Sequence, residues 1–453
     1  MSLTISPARI VEESGSPLLA APDTWPRRPL GDVASIVNGF AFKSKQFVAD
    51  GGRPLIRIRD IFNDFTTVGY VGEYDDRYVV QPDELLVGMD GDFNCARWRG
   101  SEGLLNQRVC KIVPDTASLD LDFLTHLLPG YLRAIHDLTS STTVTHLSSR
   151  DIAQIPIPLP PVTEQRELAR VLEIVASKRR SSGAHVRTAR RAIERFRQSV
   201  LSAACSGRLT ADWREGHPTV ADAESLVIAI DAARRRSHRR YTPAPPLDVE
   251  SDLPDGWCWT TTGALVEVAT GATPLRKRAD YFNGTIPWIT SGAVNAGVIE
   301  AASEFITDKA IRETNAKIFP AGTLLVAMYG EGQTRGRVAE LGIDAATNQA
   351  VAALLFDKHS ESLKPYLKVF FLENYERIRA LSFGGVQPNL SLGVIREAVL
   401  PLPPLEEQVE IVRRVDHLLN SASTLGKSIQ AAGDTVSRIG QSVLAKALRG
   451  ELL

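Results

Sequence analysis

The stretch that decides the fold is PLPPVTEQ at residues 158–165, which recurs as PLPPLEEQ at residues 401–408. Six of the eight positions are identical, at an offset of 243 residues. Downstream, QSVLSAACSGRL at residues 198–209 matches QSVLAKALRGEL at residues 441–452 in seven of twelve positions, at the same offset. A constant offset indicates a segment that tolerates no change of length, so each copy contains one rigid element.

Upstream of these motifs the chain also repeats, but there the offset drifts. A drifting offset indicates insertions in one copy, so each repeat joins a variable module to the rigid element. The upstream landmarks are Trp25 and Trp257 (offset 232), Gly39 and Gly271 (offset 232), LLVGM at 85–89 and LLVAM at 324–328 (offset 239), and Asn106-Gln107 and Asn348-Gln349 (offset 242).

The rigid element is predicted to be a long helix. Apolar residues recur at alternating steps of four and three through five heptads after Pro160-Pro161, and in phase after the second octapeptide. About forty residues at 1.5 Å each give a rod of roughly 60 Å. Gly207 and Gly450 follow the two rods where a helix commonly ends. The residues predicted to form the coiled-coil seam or a partner interface are Gln165, Leu172, Val186, Ile193, Phe196, Gln408, Val415, Ile429, Val436 and Ile439.

Two equal rods in one chain are predicted to pair with each other as an antiparallel coiled coil. This arrangement would place the variable modules at opposite ends, related by a pseudo-twofold axis. Parallel pairing, and pairing with a helix of another chain, are the alternatives.

The variable modules alternate short strand patterns with turns and amphipathic helices. The predicted fold class is therefore α+β, with mixed α/β modules and two long helices. Strands are predicted at 54–59, 85–87 and 109–113, and helices at 121–135, 219–240 and 364–381. The predicted organisation is an N-terminal extension at 1–22, a first module at 23–157, a central long helix at 158–209, a helix and proline-rich linker at 210–249, a second module at 250–400 and a C-terminal long helix at 401–453.

Composition narrows the function classes. The 453 residues are 43% apolar and 23% charged, which is ordinary for a globular protein. The four cysteines form no CxxC pair, which favours free thiols in a reducing compartment over a zinc site. The sequence has no secretory signal pattern and no apolar run near the roughly 20 residues of a membrane span, so a soluble intracellular protein without a membrane partner is predicted.

Catalytic motifs are missing from the sequence. There is no GxGxxG after a strand, no HExxH and no GxSxG. Gly426-Lys427-Ser428 resembles the end of a phosphate-binding loop, but Ser421 stands where that loop needs its first glycine. An Asn-Pro-Pro-aromatic tetrapeptide, usual in enzymes that methylate exocyclic amines, is absent as well. The sequence therefore predicts no catalytic and no metal-binding residues.

Local charge is the positive signal, because the formal net charge of the chain is only −1. Residues 178–240 contain fifteen Lys and Arg against six Asp and Glu, which indicates either contact with phosphates or a solvated helix flank. In the modules, Arg and Gln side chains in turns are suited to paired hydrogen bonds with base edges. The candidate DNA-binding residues are Lys43, Lys45, Arg57, Arg59, Arg97, Arg99, Thr273, Arg276, Lys277, Arg278, Gln333, Arg335 and Arg337, of which Arg57 and Arg59 are expected on one strand face.

The doubled PLPPxxEQ followed by long helices resembles the specificity subunits of type I restriction–modification systems. The resemblance runs from Trp25 to Leu453 and includes the stretches NGFAFKSKQF, PLIRIRDI, LLNQRVCKI and TGATPLRKRADYFNGTIPWITSG. The entry to the first module, Pro22-Asp23-Thr24-Trp25, departs from the family pattern because it lacks the glycine of Asp255-Gly256-Trp257. The resemblance assigns no role to residues 1–22.

The resemblance implies a division of labour. Each module would be a target-recognition domain that reads one half of a bipartite, asymmetric sequence in double-stranded DNA. The coiled coil would set the gap and dock two modification subunits, which methylate an adenine flipped out of each half-site. Restriction subunits would then translocate and cut DNA. The chain itself would bind no cofactor, with S-adenosylmethionine, ATP and Mg on the partner subunits, and would act in the cytoplasm.

Two other classes remain open from the residues alone. A self-contained DNA-modifying enzyme would transfer methyl groups to DNA without partner subunits. A coiled-coil scaffold without DNA specificity would bind partners only, in a way that salt does not weaken.

Overall fold

The chain divides into two compact units, of which one is formed by Met1–Arg187 with Ile429–Leu453 and the other by Thr188–Ser428. The division passes through both long helices, so each unit contains one variable module and a part of each helix. The computed structural model describes residues 6–14, 19–139, 146–218, 221–237, 252–330, 334–380 and 390–452.

In its described residues, the first unit mixes short strands with three helices that precede the central long helix. The helices are α1 (Pro7–Glu13), α2 (Leu121–Thr139) and α3 (Ser149–Ala153). The strands are β1 (Arg27–Pro29), β2 (Ala34–Asn38), β3 (Phe47–Val48), β4 (Arg53–Ile56), β5 (Gly69–Tyr70), β6 (Val79–Val80), β7 (Leu85–Gly88), β8 (Cys95–Arg97), β9 (Gly103–Leu105), β10 (Val109–Pro114) and β11 (Pro156–Pro158).

Two larger sheets build the described part of the first module, beside the antiparallel pair of β1 and β11. Strands β2, β10, β7 and β8 form an antiparallel sheet, and β3, β5, β4, β9 and β6 form a second sheet in which β4 and β9 run parallel. The first sheet packs against α2, where Val87 and Ile112 share a buried cluster with Phe123 and Leu127. Ile10 of α1 is fully buried in the same cluster, so the N-terminal extension contributes to the core.

The second unit repeats this plan. Its helices are α5 (Ala211–Glu215), α6 (Ala223–Ser237), α7 (Thr262–Leu265), α8 (Asp308–Glu313), α9 (Lys364–Glu373), α10 (Tyr375–Ala380) and α11 (Leu392–Arg396). Its strands are β12 (Cys258–Thr261), β13 (Glu267–Thr270), β14 (Phe282–Ile289), β15 (Val298–Ile299), β16 (Glu304–Ile306), β17 (Ile318–Phe319), β18 (Leu324–Ala327), β19 (Val338–Leu341), β20 (Ala345–Thr347), β21 (Val351–Leu355) and β22 (Val399–Leu402).

The sheets of the second unit keep the central strand order of the first and differ at their edges, where β15 is added beside β19 and, among the described residues, no separate strand corresponds to β3. Strands β13, β21, β18, β19 and β15 form one sheet, and β16, β14, β20 and β17 form another, in which β14 and β20 run parallel. Helices α9 and α11 cover the first of these sheets, since Phe370 and Ile395 are buried with Leu354 and Val326. The predicted α+β class with an internal repeat is confirmed.

The repeated octapeptide fixes the start of each long helix, α4 (Val162–Cys205) and α12 (Leu405–Leu448). The amide of Gln165 donates to the carbonyl oxygen of Pro160, and that of Gln408 donates to Pro403, each at 2.8 Å. Both glutamines are buried, at 0% and 2% exposure. The expectation that they contact a partner is therefore corrected, because their amides bond the chain that leads into their own helix.

Glycines mark the line along which the long helices pack. In the first unit, a Cβ added to Gly433 would lie 3.4 Å from Val186, and one added to Gly440 would lie 3.4 Å from Arg179. The residue number in contact rises along α12, from 433 to 440, while it falls along α4, from 186 to 179. The two helices are therefore antiparallel, as predicted. In the second unit, Gly426 faces Ile193, one heptad further along the same line.

Two of the residues predicted for the seam or for a partner interface lie off the packed face. Phe196 and Ile439 are 44% and 57% exposed, and beside Ile439 it is Gly440 that meets α4. A partner contact at these two residues stays a prediction. The other predicted seam residues lie on the packed face: Leu172 and Val415 are buried, and Val186, Ile193, Ile429 and Val436 are half-buried.

Two predicted elements end earlier than expected. The strand at 54–59 stops at Ile56, since the carboxylate of Asp60 accepts a hydrogen bond from the backbone N–H of Arg57 and closes a helical turn. Arg57 and Arg59 therefore do not share a strand face. The helix at 364–381 breaks at Asn374, whose side-chain amide donates to the carbonyl oxygen of Phe370.

The four cysteines are free thiols, as predicted. Burial raises the pKa of Cys110 to about 12 and that of Cys258 to about 11. These thiols are therefore protonated and unreactive at neutral pH.

Candidate nucleic-acid interface

In the first module, several chain segments meet where the parallel strands β4 and β9 end. The N–H of Asn106 donates to Ile56 at 3.2 Å, which joins the two strand ends. The N–H of Met89 donates to Arg108, and that of Leu147 donates to Met89, both at 2.8 Å. We call this place the junction edge of the first module, formed by residues 39–40, 57, 89–90, 106–108 and 146–147.

The second module has the same junction edge, formed by residues 271–272, 290, 328–329, 348–350 and 390. The N–H of Asn348 donates to Ile289 at 3.0 Å, where β14 and β20 end. The backbone N–H of Met328 donates to the carbonyl oxygen of Ala350 at 2.8 Å, and the backbone N–H of Leu390 donates to the carbonyl oxygen of Met328 at 3.1 Å. These hydrogen bonds reproduce those of the first module at the repeat offsets.

The recurring glycines permit this close approach. A Cβ on Gly39 would overlap the carbonyl group of Asn106, and a Cβ on Gly271 would overlap that of Thr347. Only glycine fits both positions. This packing explains why Gly39 and Gly271 recur, and it places the segments that follow them beside the junction edges.

The first module brings some of the predicted residues to its junction edge. Lys43 and Lys45 lie on the segment that follows Gly39 and are exposed. Arg57 lies at the edge, but its guanidinium is 3.2 Å from Asp60, and its side chain is only 20% exposed. Arg59 is exposed on the next turn.

Arg97 and Arg99 lie elsewhere in the first module. Arg97 pairs with Leu85, at the end of β7 that is remote from the junction edge. Its side chain is 12% exposed and forms ion pairs with Asp83 at 2.9 Å and Asp122 at 2.6 Å. It ties the sheet to α2, while Arg99 forms an ion pair with Asp83 at 3.1 Å. The structure therefore does not bring these two arginines together with the other candidates.

In the second module, Thr273 through Arg278 follow Gly271 on the junction edge. The hydroxyl of Thr273 donates to the side chain of Gln349. Arg276 forms an ion pair with Glu304 at 2.5 Å and lies 5.0 Å from the ring centre of Trp288. Lys277 is exposed at the tip of this turn.

Ion pairing also fixes Arg278. Its guanidinium is 2.7 Å from Asp280, which Lys309 approaches at the same distance. Hydrogen bonds from Arg278 and then Lys309 hold the pKa of the Asp280 carboxyl below its ordinary range. The turn is therefore braced by its own acidic residues.

The glycine-rich loop of the second module connects β18 to β19. Gly336 has a φ of 83°, and the carbonyl oxygen of Arg337 accepts a hydrogen bond from Ala327 at 2.9 Å. Arg335 and Arg337 are half-buried, and Arg337 lies 5.9 Å from the ring centre of Tyr375. Gln333 lies outside the described residues.

Part of the basic stretch at 178–240 is internal to the protein. Arg234 is 7% exposed and donates to the carbonyl oxygens of Gly263 and Ala264. Arg190 and Arg191, in contrast, are exposed on the flank of α4. The charge count in the sequence therefore overstates the basic surface of this stretch.

The sequence reasoning missed three residues at the first junction edge. Arg108, Asp90 and His146 converge there, and Arg108 has a φ of 70°, which is unusual for a residue with a side chain. The repeated Asn106-Gln107 pair was the signal that could have located Arg108, which follows it directly.

Among the described residues, no group of three or more His, Cys, Asp or Glu side chains is arranged to hold a metal ion. In the same part of the chain, no helix combines the length and the apolar character needed to cross a membrane. Two copies of one α+β module, each with a junction edge and each followed by a long helix, define a class of internally repeated proteins.

The model of the type I restriction modification DNA specificity domain matches residues 22–181 and 254–432. The chain belongs to this family, the specificity subunits of type I restriction–modification systems. The prediction of a non-catalytic DNA-recognition subunit is thereby confirmed.

Curated relatives agree with this assignment. The chain is 33% identical to the type I restriction enzyme EcoBI specificity subunit of Escherichia coli, over 100% of this chain and 91% of that protein. It is 24% identical to the EcoKI specificity subunit of Escherichia coli K12, over 95% of this chain and 90% of that protein. The fold is similar to a chain solved in a study of the assembly and conformational transition of a type I system, with a TM-score of 0.61 at 17% identity, covering 95% of this chain and 99% of that one.

Proposed function

We propose that each module reads one half of a bipartite DNA target, and that two modification subunits dock on the paired helices and carry the methyl-transfer chemistry. In this assembly the partner subunits bind S-adenosylmethionine, ATP and Mg. Restriction subunits join to translocate and cut DNA, and the assembly acts in the cytoplasm.

The observation that carries this proposal is the pair of matching junction edges. The same backbone hydrogen bonds recur in both modules, on a Gly, Met, Asn, Gln and Leu that both modules share. Four other side chains of the junction edge differ: Phe40, Arg57, Asp90 and Arg108 of the first module correspond to Ala272, Thr290, Tyr329 and Ala350 of the second. Equal frames with unequal side chains are what two readers of different half-sites require, because base edges are distinguished by side-chain donors and acceptors.

The paired helices are proposed to set the gap between the half-sites. Their packing is antiparallel, and the repeat offset of 243 residues is constant through them. A helix is a stiff spacer whose length and rotation are both fixed by residue number.

The test is to sequence methylated adenines in cells with and without this gene. We expect one bipartite motif with a constant gap that depends on the gene. A four-residue insertion beside Ser182 adds about 6 Å and rotates the following helix by about 40°. It should change the gap or abolish methylation, whereas the same insertion in the proline-rich segment 241–248 should do neither. Gene-independent methylation would contradict the proposed function.

A further inference from the structure

We propose that Arg108 reads a guanine in the half-site of the first module, and that Asp90 and His146 hold its guanidinium in position. The inference rests on the proposed function, since it assigns a base contact to a module taken to read DNA. It assigns base recognition in that module to Arg108 and not to the basic residues of the neighbouring loops.

The geometry of the three side chains is that of a braced guanidinium. One terminal nitrogen of Arg108 lies 3.0 Å from Nδ1 and 3.2 Å from Nε2 of His146, so the guanidinium packs against the imidazole ring. Nε of Arg108 lies 3.6 Å from one carboxylate oxygen of Asp90. Nδ1 of His146 lies 2.5 Å from the other carboxylate oxygen and donates to it, which fixes the ring. The Arg108 side chain remains 52% exposed, against 32% for Asp90 and 27% for His146. The two partners therefore lie deeper, and the arginine projects from them toward solvent.

The backbone holds Arg108 where few residues with side chains are found. Its φ of 70° lies in the left-handed region, at a cost of roughly 1–2 kcal/mol that asparagine or glycine would reduce. The strain is fixed by the hydrogen bond from Met89 to the Arg108 carbonyl oxygen at 2.8 Å. Strained residues of this kind concentrate at sites of function.

The second module supplies an internal comparison. At the repeat offsets, Ala350 stands in place of Arg108 and Tyr329 in place of Asp90. Ala350 nevertheless accepts the equivalent hydrogen bond from Met328. The hydrogen bond from the methionine therefore forms without an arginine. The left-handed φ is a feature of Arg108 and not of Ala350.

Guanine is the base that suits this group. An arginine guanidinium donates two parallel hydrogen bonds to O6 and N7 of guanine in the major groove, and it is the commonest base-specific contact. Prior alignment by a carboxylate reduces the conformational entropy lost on binding. Lysine carries the same charge but lacks the planar, rigid fork of donors, so it fits O6 and N7 of guanine less well.

The test uses the full complex of this chain with its modification subunits, methylating a library of duplexes randomised in both half-sites. Arg108→Ala should reduce the preference for guanine at one position by roughly 10- to 100-fold. Arg108→Lys should give a smaller loss at the same position while keeping the salt dependence of binding, because the ammonium keeps the charge but not the planar fork. Both variants should leave every position of the other half-site unchanged. Arg9→Ala is the matched control, since Arg9 is also an exposed arginine paired with a carboxylate, on α1.

Asp90→Asn tests the positioning role. It should weaken selectivity at the same base position and no other, and the double variant with Arg108→Ala should be no worse than Arg108→Ala alone. If Arg108→Ala and Arg108→Lys leave the motif unchanged while the parent complex methylates it, Arg108 is not a reader. An equal loss on every sequence for both variants would make Arg108 structural, and an equal loss for Arg108→Ala alone would make it a phosphate contact. Should the parent complex itself show no bipartite motif, the proposed function fails, whatever Arg108 does.

Discussion

The two modules share a backbone frame and differ in the side chains that the frame presents. Met89 and Met328 donate equivalent hydrogen bonds at 2.8 Å, to Arg108 in the first module and to Ala350 in the second. The comparison separates two roles within one fold. Residues that recur, such as Gly39 and Gly271, fix the close approach of the segments. Residues that differ can change without disturbing that approach, so new specificity does not require a new fold.

The largest effect should come from exchanging one whole module. Replacing residues 250–400 by the second module of another family member should switch one half-site completely and leave the other half-site and the gap intact. The reason is that the frame and the helix starts are shared, while the loops differ. Sequencing of methylated adenines measures the outcome, and a change in both half-sites would show that the modules do not read independently.

Some features of this structure can be predicted from the sequence, and others cannot. The doubled octapeptide predicts the repeat, and the seven-residue period after it predicts the long helices, because both are local properties of the chain. Antiparallel pairing is predicted from the presence of two equal helices in one chain, with parallel pairing as an alternative. The seam at Phe196 and Ile439 is misplaced, since the straight heptad count cannot show that Gly440 allows the closer approach. The brace around Arg108 joins residues far apart in sequence, and no local pattern brings Asp90 and His146 together.

The next prediction concerns a glutamate that both octapeptides share but that is fully buried in only one of them. Glu407 is 1% exposed and accepts hydrogen bonds from Trp257 at 2.8 Å and Thr210 at 2.7 Å, while Arg214 lies 3.1 Å away. Its counterpart Glu164 is half-buried. Glu407→Gln should lower the free energy of unfolding by about 3 kcal/mol, because the charge partner of Arg214 is lost in a buried site.

The matched control for this prediction is Glu164→Gln, which should change the same free energy by less than about 1 kcal/mol. Urea denaturation of the full chain, followed by tryptophan fluorescence, measures both variants. Equal effects of the two substitutions would mean that burial does not distinguish the copies.

A smaller effect is expected at the glycine line of the long helices. Gly433→Leu should destabilise the chain by about 1–3 kcal/mol relative to Gly183→Leu, since a side chain at 433 meets Val186 on the packed face. At Gly183, an added Cβ meets only the end of the Arg187 side chain, at 3.5 Å. Thermal unfolding by circular dichroism compares the two variants. Similar melting temperatures would place the packed line elsewhere on α12.

The smallest expected effect concerns pH and again contrasts the two copies. Hydrogen bonds from Arg413, and then Arg414, lower the pKa of Glu410 from 4.5 to about 2. A carboxyl whose pKa is lower in the folded chain stabilises it above pH 4.5, and that contribution disappears as the pH falls toward about 2. Because Arg413 is 66% exposed, solvent screening limits the contribution to about 1 kcal/mol or less. Glu410→Gln should therefore lower the free energy of unfolding at pH 7 and have progressively less effect between pH 4.5 and pH 2.

Glu167→Gln, at the exposed equivalent position of the first copy, is the control. A difference between wild type and Glu410→Gln that stays constant down to pH 2 would show that the ion pairs with Arg413 and Arg414 do not stabilise the second copy.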